Sequence, residues 1–285
     1  MGKKYEFKAS KTERLSAFLA SNVPALSSSK ADMLIKCGEV RVNGVKTKAN
    51  ALLACGDTVS IFVPDAVNKN AVAVPVVYED DNIVIFDKPK RTAYDALPQL
   101  YNAPLFAVHR LDTNTTGLIV FAKTEKAMKE LSDAFKERRV KKVYEAAVLP
   151  APESDGETLT AYTKLLNDRN LALVSDKPKN GYKTMITEYT VIRRIGDAAI
   201  LRVFPHTGRT HQIRAHLSFI GCPIIGEHKY GIKGNAALQG APDTQMLAAV
   251  ELEFTGLKGG LEYLNEKTFT VSSGFDVTFL LSAYC

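Results

Sequence analysis

Residues 109–123, HRLDTNTTGLIVFAK, constrain the fold more than any other stretch of this 285-residue chain. The segment opens with His109, Arg110 and Asp112 and passes through the hydroxyl-rich turn Thr113-Asn114-Thr115-Thr116 with Gly117. It ends in the apolar run Leu118-Ile119-Val120-Phe121-Ala122. A continuous run of this composition predicts a strand buried on both faces. The turn before it is where a rigid scaffold would present reactive groups. Asp112 therefore stands at the mouth of a buried strand, where a carboxylate is costly unless it is paired or used. An isolated Asp in a Thr/Asn-rich turn is more often a turn cap, with Arg110 as its surface partner.

The stretch is more specific than an isolated Asp. It resembles the HRLDxxTTGLxxFAK signature of the RluA-type pseudouridine synthases over all fifteen positions. The resemblance implies that Asp112 is the catalytic nucleophile, and further blocks follow in family order. Residues 78–89 resemble YEDxxIxxxDKP. Lys142-Val143-Tyr144-Glu145-Ala146 fits KxYxA, which implies that Tyr144 packs on the target base. TGRTHQIRAHL at 207–217 resembles the arginine block, implying that Arg209 pairs with Asp112. Residues 221–231 resemble GxPIxGDxxYG, and 245–254 the final block, in which Leu247 helps wall the base pocket. The polar groups His109, Arg110, Thr115, Thr116, Thr210 and His211 are candidate substrate contacts. Two departures stand out. Lys90-Arg91-Thr92-Ala93-Tyr94-Asp95 replaces the small residues, glycine and histidine that usually follow Lys-Pro, and Ala248 stands where a histidine is usual.

Residues 1–65 read as a separate small basic domain, 66–75 as a linker and 76–285 as the catalytic domain. In the first, Leu15, Phe18 and Leu19 fall at helical spacing, then Asn22, Pro24 and Ser27 to Ser29 break the pattern. A second helix with Ala31, Leu34 and Ile35 on one face closes at Gly38. Asn43-Gly44 between alternating segments is a hairpin signal, and a strand follows at 59–63. This pattern resembles the helix-helix-hairpin (alpha-L) RNA-binding domain named after a small-subunit ribosomal protein, with Ser28 where an arginine usually stands. Ten basic against six acidic residues in 1–65 carry most of the chain's net charge of +6. Arg14, Lys30 and Arg41 are its candidate RNA contacts.

Further on, residues 125–137 predict an amphipathic helix with the stripe Ala127, Leu131, Ala134 and Phe135. Arg138, Arg139, Lys141 and Lys142 then run into a strand ending near Leu149, which suggests a nucleic-acid groove with an aromatic platform at Tyr144. On residue type alone, such a charge run is more often a solvated face and Tyr144 a core tyrosine. Residues 150–182 read as an irregular excursion, followed by strands at 184–192 and 198–204. A glycine turn then opens a helix carrying Ile213 and Leu217 on its inward face. His206, His211 and His216 are five residues apart, about 140° net per step on a helix, so they cannot share one face and predict no metal site. Cys37, Cys55, Cys222 and Cys285 form no CxxC pair and suit a reducing cytosol. No apolar run of signal-peptide or membrane-spanning length occurs, so the chain reads as cytoplasmic.

The expected fold is α+β, a mixed, mainly antiparallel sheet with a central RNA-binding cleft, preceded by the small α/β domain. The resemblance implies isomerisation of uridine to pseudouridine in RNA, on large-subunit ribosomal RNA or alternatively on tRNA; no step needs redox chemistry, so no cofactor is expected, and the chain reads as a monomer. The base must leave its stack, at a cost of a few kcal/mol. An ionised Asp112 would then attack ring carbon 6 or the anomeric carbon, or assist elimination to a glycal. Other readings are a catalytically retired RNA-binding or ribosome-assembly factor, and a glycoside or nucleoside hydrolase. The last lacks the second carboxylate such chemistry usually needs.

Overall fold

A computed structural model describes residues 3–23, 26, 31–32, 34–35, 38–63, 74–101, 104–231 and 242–278. The sequence readings at Pro24, Ser27 to Ser29, Lys30, Cys37, Cys285 and most of the expected linker lie outside these residues. The chain divides into two compact units, residues 1–74 with 95–104, and residues 75–94 with 105–285. Segment 95–104 thus groups with the first unit, whereas the sequence reading assigned it to the second.

In the first unit, strands Lys3–Lys8, Thr58–Val63, Val40–Val42 and Val45–Thr47 form an antiparallel sheet in that order. Asn43 and Gly44 both take positive φ (51° and 80°), the geometry a two-residue hairpin turn with the native twist requires. The helix Leu15–Asn22 and the helical residues 31–32 and 34–35 contribute Leu15, Phe18, Leu19, Ala31, Leu34 and Ile35 to a core shared with Val40, Val59 and Ile61.

The second unit is built on one mixed sheet. Its strands are β1 Val76–Glu79, β2 Ile83–Lys88, β3 Phe106–Ala107, β4 Thr116–Ala122, β5 Val140–Val148, β6 Gly156–Leu166, β7 Leu171–Ser175, β8 Lys183–Ile195, β9 Ala198–Pro205, β10 Leu247–Phe254 and β11 Thr268–Thr270. The order is β7-β6-β8-β9-β5-β10-β4-β2-β1, with β11 beside β10 and β3 beside β4. Every pairing among these strands is antiparallel except β4 with β10. The expected mixed, mainly antiparallel sheet is therefore what forms. The region 150–182 is a correction, because it supplies β6 and β7 rather than an irregular excursion. The inward positions of β6 are Leu159, Ala161 and Thr163, alternating with exposed Thr160 and Lys164 and half-buried Tyr162. Its alternation is carried by small and polar side chains and so gives little hydrophobic signal.

Strand β4 is buried from Gly117 to Ala122. Alternate residues Leu118, Val120 and Ala122 pack on helix α1, Glu125–Lys136, through Ala127, Leu131 and Ala134. Thr124 caps that helix, its hydroxyl accepting from the Ala127 amide at 3.2 Å. The parallel contact of β4 with β10 depends on Gly117. With φ of +97°, a Cβ there would lie 2.1 Å from the Ala249 carbonyl oxygen, so only glycine allows the strands to meet where the turn 112–116 ends. Helix α2, Gln212–Phe219, lies against β7, β8 and β9.

Candidate active site

The functional groups converge because three sequence-distant elements meet at the mouth of β4: the turn before it, β5 with β10 beside it, and the start of α2. They enclose a cavity of about 320 Å³ whose lining includes Asp112, Thr115, Tyr144, His211, Arg214 and Leu247. This lies within the range of small-ligand sites, roughly 300–1,000 Å³.

The turn at Asp112 is held from several sides. The Thr115 amide donates to the Asp112 carbonyl at 3.0 Å, and the buried Gln245 amide donates to the Thr115 hydroxyl at 2.9 Å. Beneath it lies Lys88, wholly buried. Its ammonium donates to the carbonyls of Pro89 (3.1 Å), Thr92 (2.9 Å) and Thr113 (3.0 Å). It thereby ties the divergent 90–95 loop to the residue after Asp112. Burial pushes the Lys88 pKa down to about 8, against the opposing pull of Asp112 and Asp87.

The arginine paired with Asp112 is Arg214, not Arg209. Arg214 Nη1 donates to Asp112 Oδ2 at 2.7 Å, while Nε and Nη2 form a two-pronged contact with Glu227 at 2.6 and 2.9 Å. Burial works against the Arg214 charge, but the two carboxylates outweigh it and push its pKa up. Burial likewise opposes ionisation of Glu227, and the Arg214 hydrogen bond and charge overcome it, holding the carboxyl below its usual range. Arg209 precedes α2. Its backbone amide bonds Gln212 Oε1, and its Nε donates to the Thr184 carbonyl at 2.9 Å, so it lines the cavity from another side. Both arginines belong to one motif, and only the turn into the helix, with His211 at φ of 54°, decides which one reaches the carboxylate.

Tyr144 sits on β5 opposite Ala249 of β10 and Val203 of β9, its ring in the cavity wall. Burial first, and then the Asp112 charge, push its phenol up, so it stays protonated. Leu247 lines the same cavity. His109 also borders it, but its ring stacks on Phe135 at 4.2 Å and its Nε2 accepts from the Val120 amide at 3.0 Å. Burial, helped by Lys142, pushes His109 down to about 3, so this histidine is a neutral strut.

The remaining expected contacts divide. Arg110 and Thr210 line the cavity, and the Arg110 guanidinium lies 5.5 Å above the Tyr94 ring. Thr116 does not line it. The first residue of β4, it lines a separate cavity of about 350 Å³ with Asn114 and Gln245. Arg138, Lys141 and Lys142 border a groove continuous with the main cavity through Phe135, Lys142, Thr207 and Arg209. Arg139 is turned away, held by Glu130, Glu137 and the Gly256 carbonyl. Lys141 is shared with Glu251 and Glu253. In the first unit Arg14 is exposed, and Arg41 borders a concave sheet surface with Lys4 and Lys46. His216 is buried and bonds Thr187. Among the described residues no group of His, Cys, Asp and Glu has the arrangement of a metal site.

The sequence reading missed the roles of Arg214, Glu227, Lys88 and Gln245. A signal existed for the first: Arg214 lies one residue from Ile213 of the inward stripe, near enough to be drawn inside, and Glu227 follows in the next motif as a carboxylate to meet it.

Residues 67–219 match the family described as RNA pseudouridylate synthase. An uncharacterised RNA pseudouridine synthase of Aquifex aeolicus is 33% identical over 282 residues, covering 87% of this chain and 88% of that protein. The chain belongs to the RNA pseudouridylate synthase family. Within it, the ribosomal large subunit pseudouridine synthase C of Vibrio cholerae is 32% identical over 246 residues, 77% of each chain, and the membership is of the RluA type. Among solved structures, human RNA pseudouridylate synthase domain containing 4 superposes with a TM-score of 0.59 at 23% identity, over 76% of this chain and 95% of that one. It shares the fold. As a member of this family, the protein is an RNA pseudouridine synthase, isomerising uridine in RNA.

Proposed function

We propose that this pseudouridine synthase takes an everted uridine into the cavity beside Asp112, and that its substrate is large-subunit ribosomal RNA. One observation carries the site assignment: the Asp112–Arg214 pair, 2.7 Å apart, opens on a cavity walled by Tyr144 and Leu247. Asp112 is the reacting carboxylate. Attack at ring carbon 6, attack at the anomeric carbon and assisted elimination to a glycal all need its anion, which Arg214 favours in a partly desolvated site. Tyr144 provides a flat apolar face for the ring and a protonated phenol near the reacting carboxylate. A stacked base is worth ~1–3 kcal/mol, comparable with the cost of everting it. Arg138 and Lys142 along the groove, together with Arg41, Lys4 and Lys46 of the first unit, form basic surfaces suited to phosphates. They support an RNA-binding role for that unit. The relative named for the large ribosomal subunit supports the choice of RNA and a cytoplasmic location. No described helix is long and apolar enough to cross a membrane.

The test is Asp112→Asn, assayed by pseudouridine mapping on ribosomal RNA from cells lacking this protein and on the same RNA treated in vitro. Pseudouridine formation disappears while RNA binding stays within a few-fold. Turnover near that of the parent enzyme would overturn the assignment of Asp112. Modification confined to tRNA would overturn the choice of substrate. The intact Asp112–Arg214–Glu227 triad disfavours a retired binding factor, since a chain without selection for turnover gains nothing from burying these charges.

A further inference from the structure

His211 is buried at the cavity wall, its side chain only 5% exposed. Two groups bear on which nitrogen carries its proton. The Ala172 amide donates to the Tyr230 hydroxyl oxygen at 2.8 Å, and that hydroxyl lies 2.7 Å from His211 Nδ1. One lone pair of the phenol oxygen is used by Ala172. Among the described residues, His211 Nδ1 is the one acceptor the hydroxyl proton reaches. The arrangement in which the phenol donates to Nδ1 gives its hydroxyl proton an acceptor and places the ring hydrogen on Nε2. That Nε2–H faces the cavity beside Asp112, whose Oδ2 lies 3.9 Å away, beyond hydrogen-bonding distance. Among the described residues it has no acceptor. An N–H with no protein acceptor that opens on a cavity is a donor for the molecule the cavity holds.

The backbone supports this aim. His211 holds a left-handed conformation (φ 54°), unfavourable for a residue with a side chain, immediately before α2, and its ring packs edge-on against Tyr230. Asp112, Glu227, Arg214 and Lys229 act on the ring together with Tyr230. Burial is the largest effect and lowers its pKa, with Arg214 and Lys229 in the same direction and the two carboxylates opposing. The neutral form with a single, fixed donor is thereby favoured.

We propose that His211 is a specificity residue whose Nε2–H donates to a carbonyl oxygen of the everted uracil while Asp112 reacts. This rests on the reading that Asp112 is the reacting carboxylate. At O4 the amino group of cytosine would meet the Nε2–H donor to donor, so a contact there selects uracil; O2 is common to both pyrimidines, and a contact there positions the ring without that selection.

The experiment uses full-length protein and an RNA substrate whose target uridine is replaced by 2-thiouridine or 4-thiouridine, since sulfur is the weaker acceptor. With the parent enzyme, kcat/KM falls about tenfold for one of the two thio-bases, the rate equivalent of a neutral hydrogen bond. The position affected identifies the oxygen. In His211→Ala that penalty shrinks to within twofold, and in His211→Gln, which retains a donor at nearly the same place, it is kept. A penalty of equal size in the parent and the alanine variant would overturn the proposal, as would no penalty at either oxygen in the parent. Should the alanine variant fail to fold, Tyr230→Phe releases the proton lock and is expected to reduce the same penalty. Absence of pseudouridine with the parent enzyme on plain RNA would instead remove the functional reading beneath it.

Discussion

Replacing Arg214 tests the electrostatics of the site most sharply, because one guanidinium serves two carboxylates. The side chains of Glu227, Arg214 and Asp112 are 1%, 11% and 20% exposed. In Arg214→Met, Glu227 keeps only the amides of Lys229 and Tyr230 as donors and becomes an uncompensated buried anion. Breaking a buried pair this way costs about 3–5 kcal/mol. For a unit of this size that is a fall in Tm of roughly 6–20 °C, at about 2–4 °C per kcal/mol. The catalytic loss has a separate origin. An ion pair at roughly 4 Å and an effective dielectric of about 20 is worth about 4 kcal/mol, so loss of the charge that favours the Asp112 anion costs up to about 10³ in kcat. The two effects separate in the double variant Arg214→Met with Glu227→Gln, which removes the stranded charge but keeps an acceptor for the two amides. Thermal unfolding should show Tm recovering towards the parent value, while single-turnover pseudouridine formation stays about 100–1,000-fold slow. Arg209→Gln should lower kcat less than tenfold. The reasoning fails if Arg214→Met keeps kcat within tenfold of the parent, or if Arg209→Gln is the more damaging of the two.

Other perturbations follow from the same contacts. Gly117→Ala should destabilise the second unit by several kcal/mol, since a methyl cannot occupy space 2.1 Å from the Ala249 carbonyl, and chemical denaturation will show a lowered midpoint. Lys88 has a folded pKa of about 8 against 10.5 for the free side chain, so between these values the unfolded chain holds the proton that the folded one has released. Stability from this group therefore rises with pH across about 8–10.5, at up to about 1.4 kcal/mol per pH unit, and Lys88→Met should flatten that rise in pH-dependent denaturation. The same Lys88→Met substitution leaves the Pro89, Thr92 and Thr113 carbonyls without their donor and should slow pseudouridine formation through a looser Asp112 turn. His109 and His216 are pushed down to about 3 and about 4, chiefly by burial. The unfolded chain protonates them first as pH falls below about 6.5, so stability present at neutral pH is lost on acidification, and His216→Gln should make unfolding less steeply pH-dependent between pH 6.5 and 4.

The sequence by itself determined those parts whose physics is local. The run 118–122 had to be a doubly buried strand, since five consecutive apolar residues offer no solvent face. The spacing of Ala127, Leu131 and Ala134 fixed one face of α1, and Asn43-Gly44 fixed a hairpin. Asp112 and Tyr144 stood out as candidate site residues because their motifs are contiguous, and both line one cavity. What required tertiary structure was the choice among equivalent groups. Arg209 and Arg214 are five residues apart in one motif, and the turn into α2 alone brings the second to Asp112. Arg139 lies within the same basic run as Arg138 and Lys142, yet Glu130 and Glu137 consume it. Thr115 closes the turn and Thr116 opens β4, and the two neighbours face different cavities. Hydrogen bonds and ion pairs act over a few ångströms and are made here between residues a hundred positions apart, so only the folded chain selects the guanidinium that holds the carboxylate and the imidazole proton that faces it.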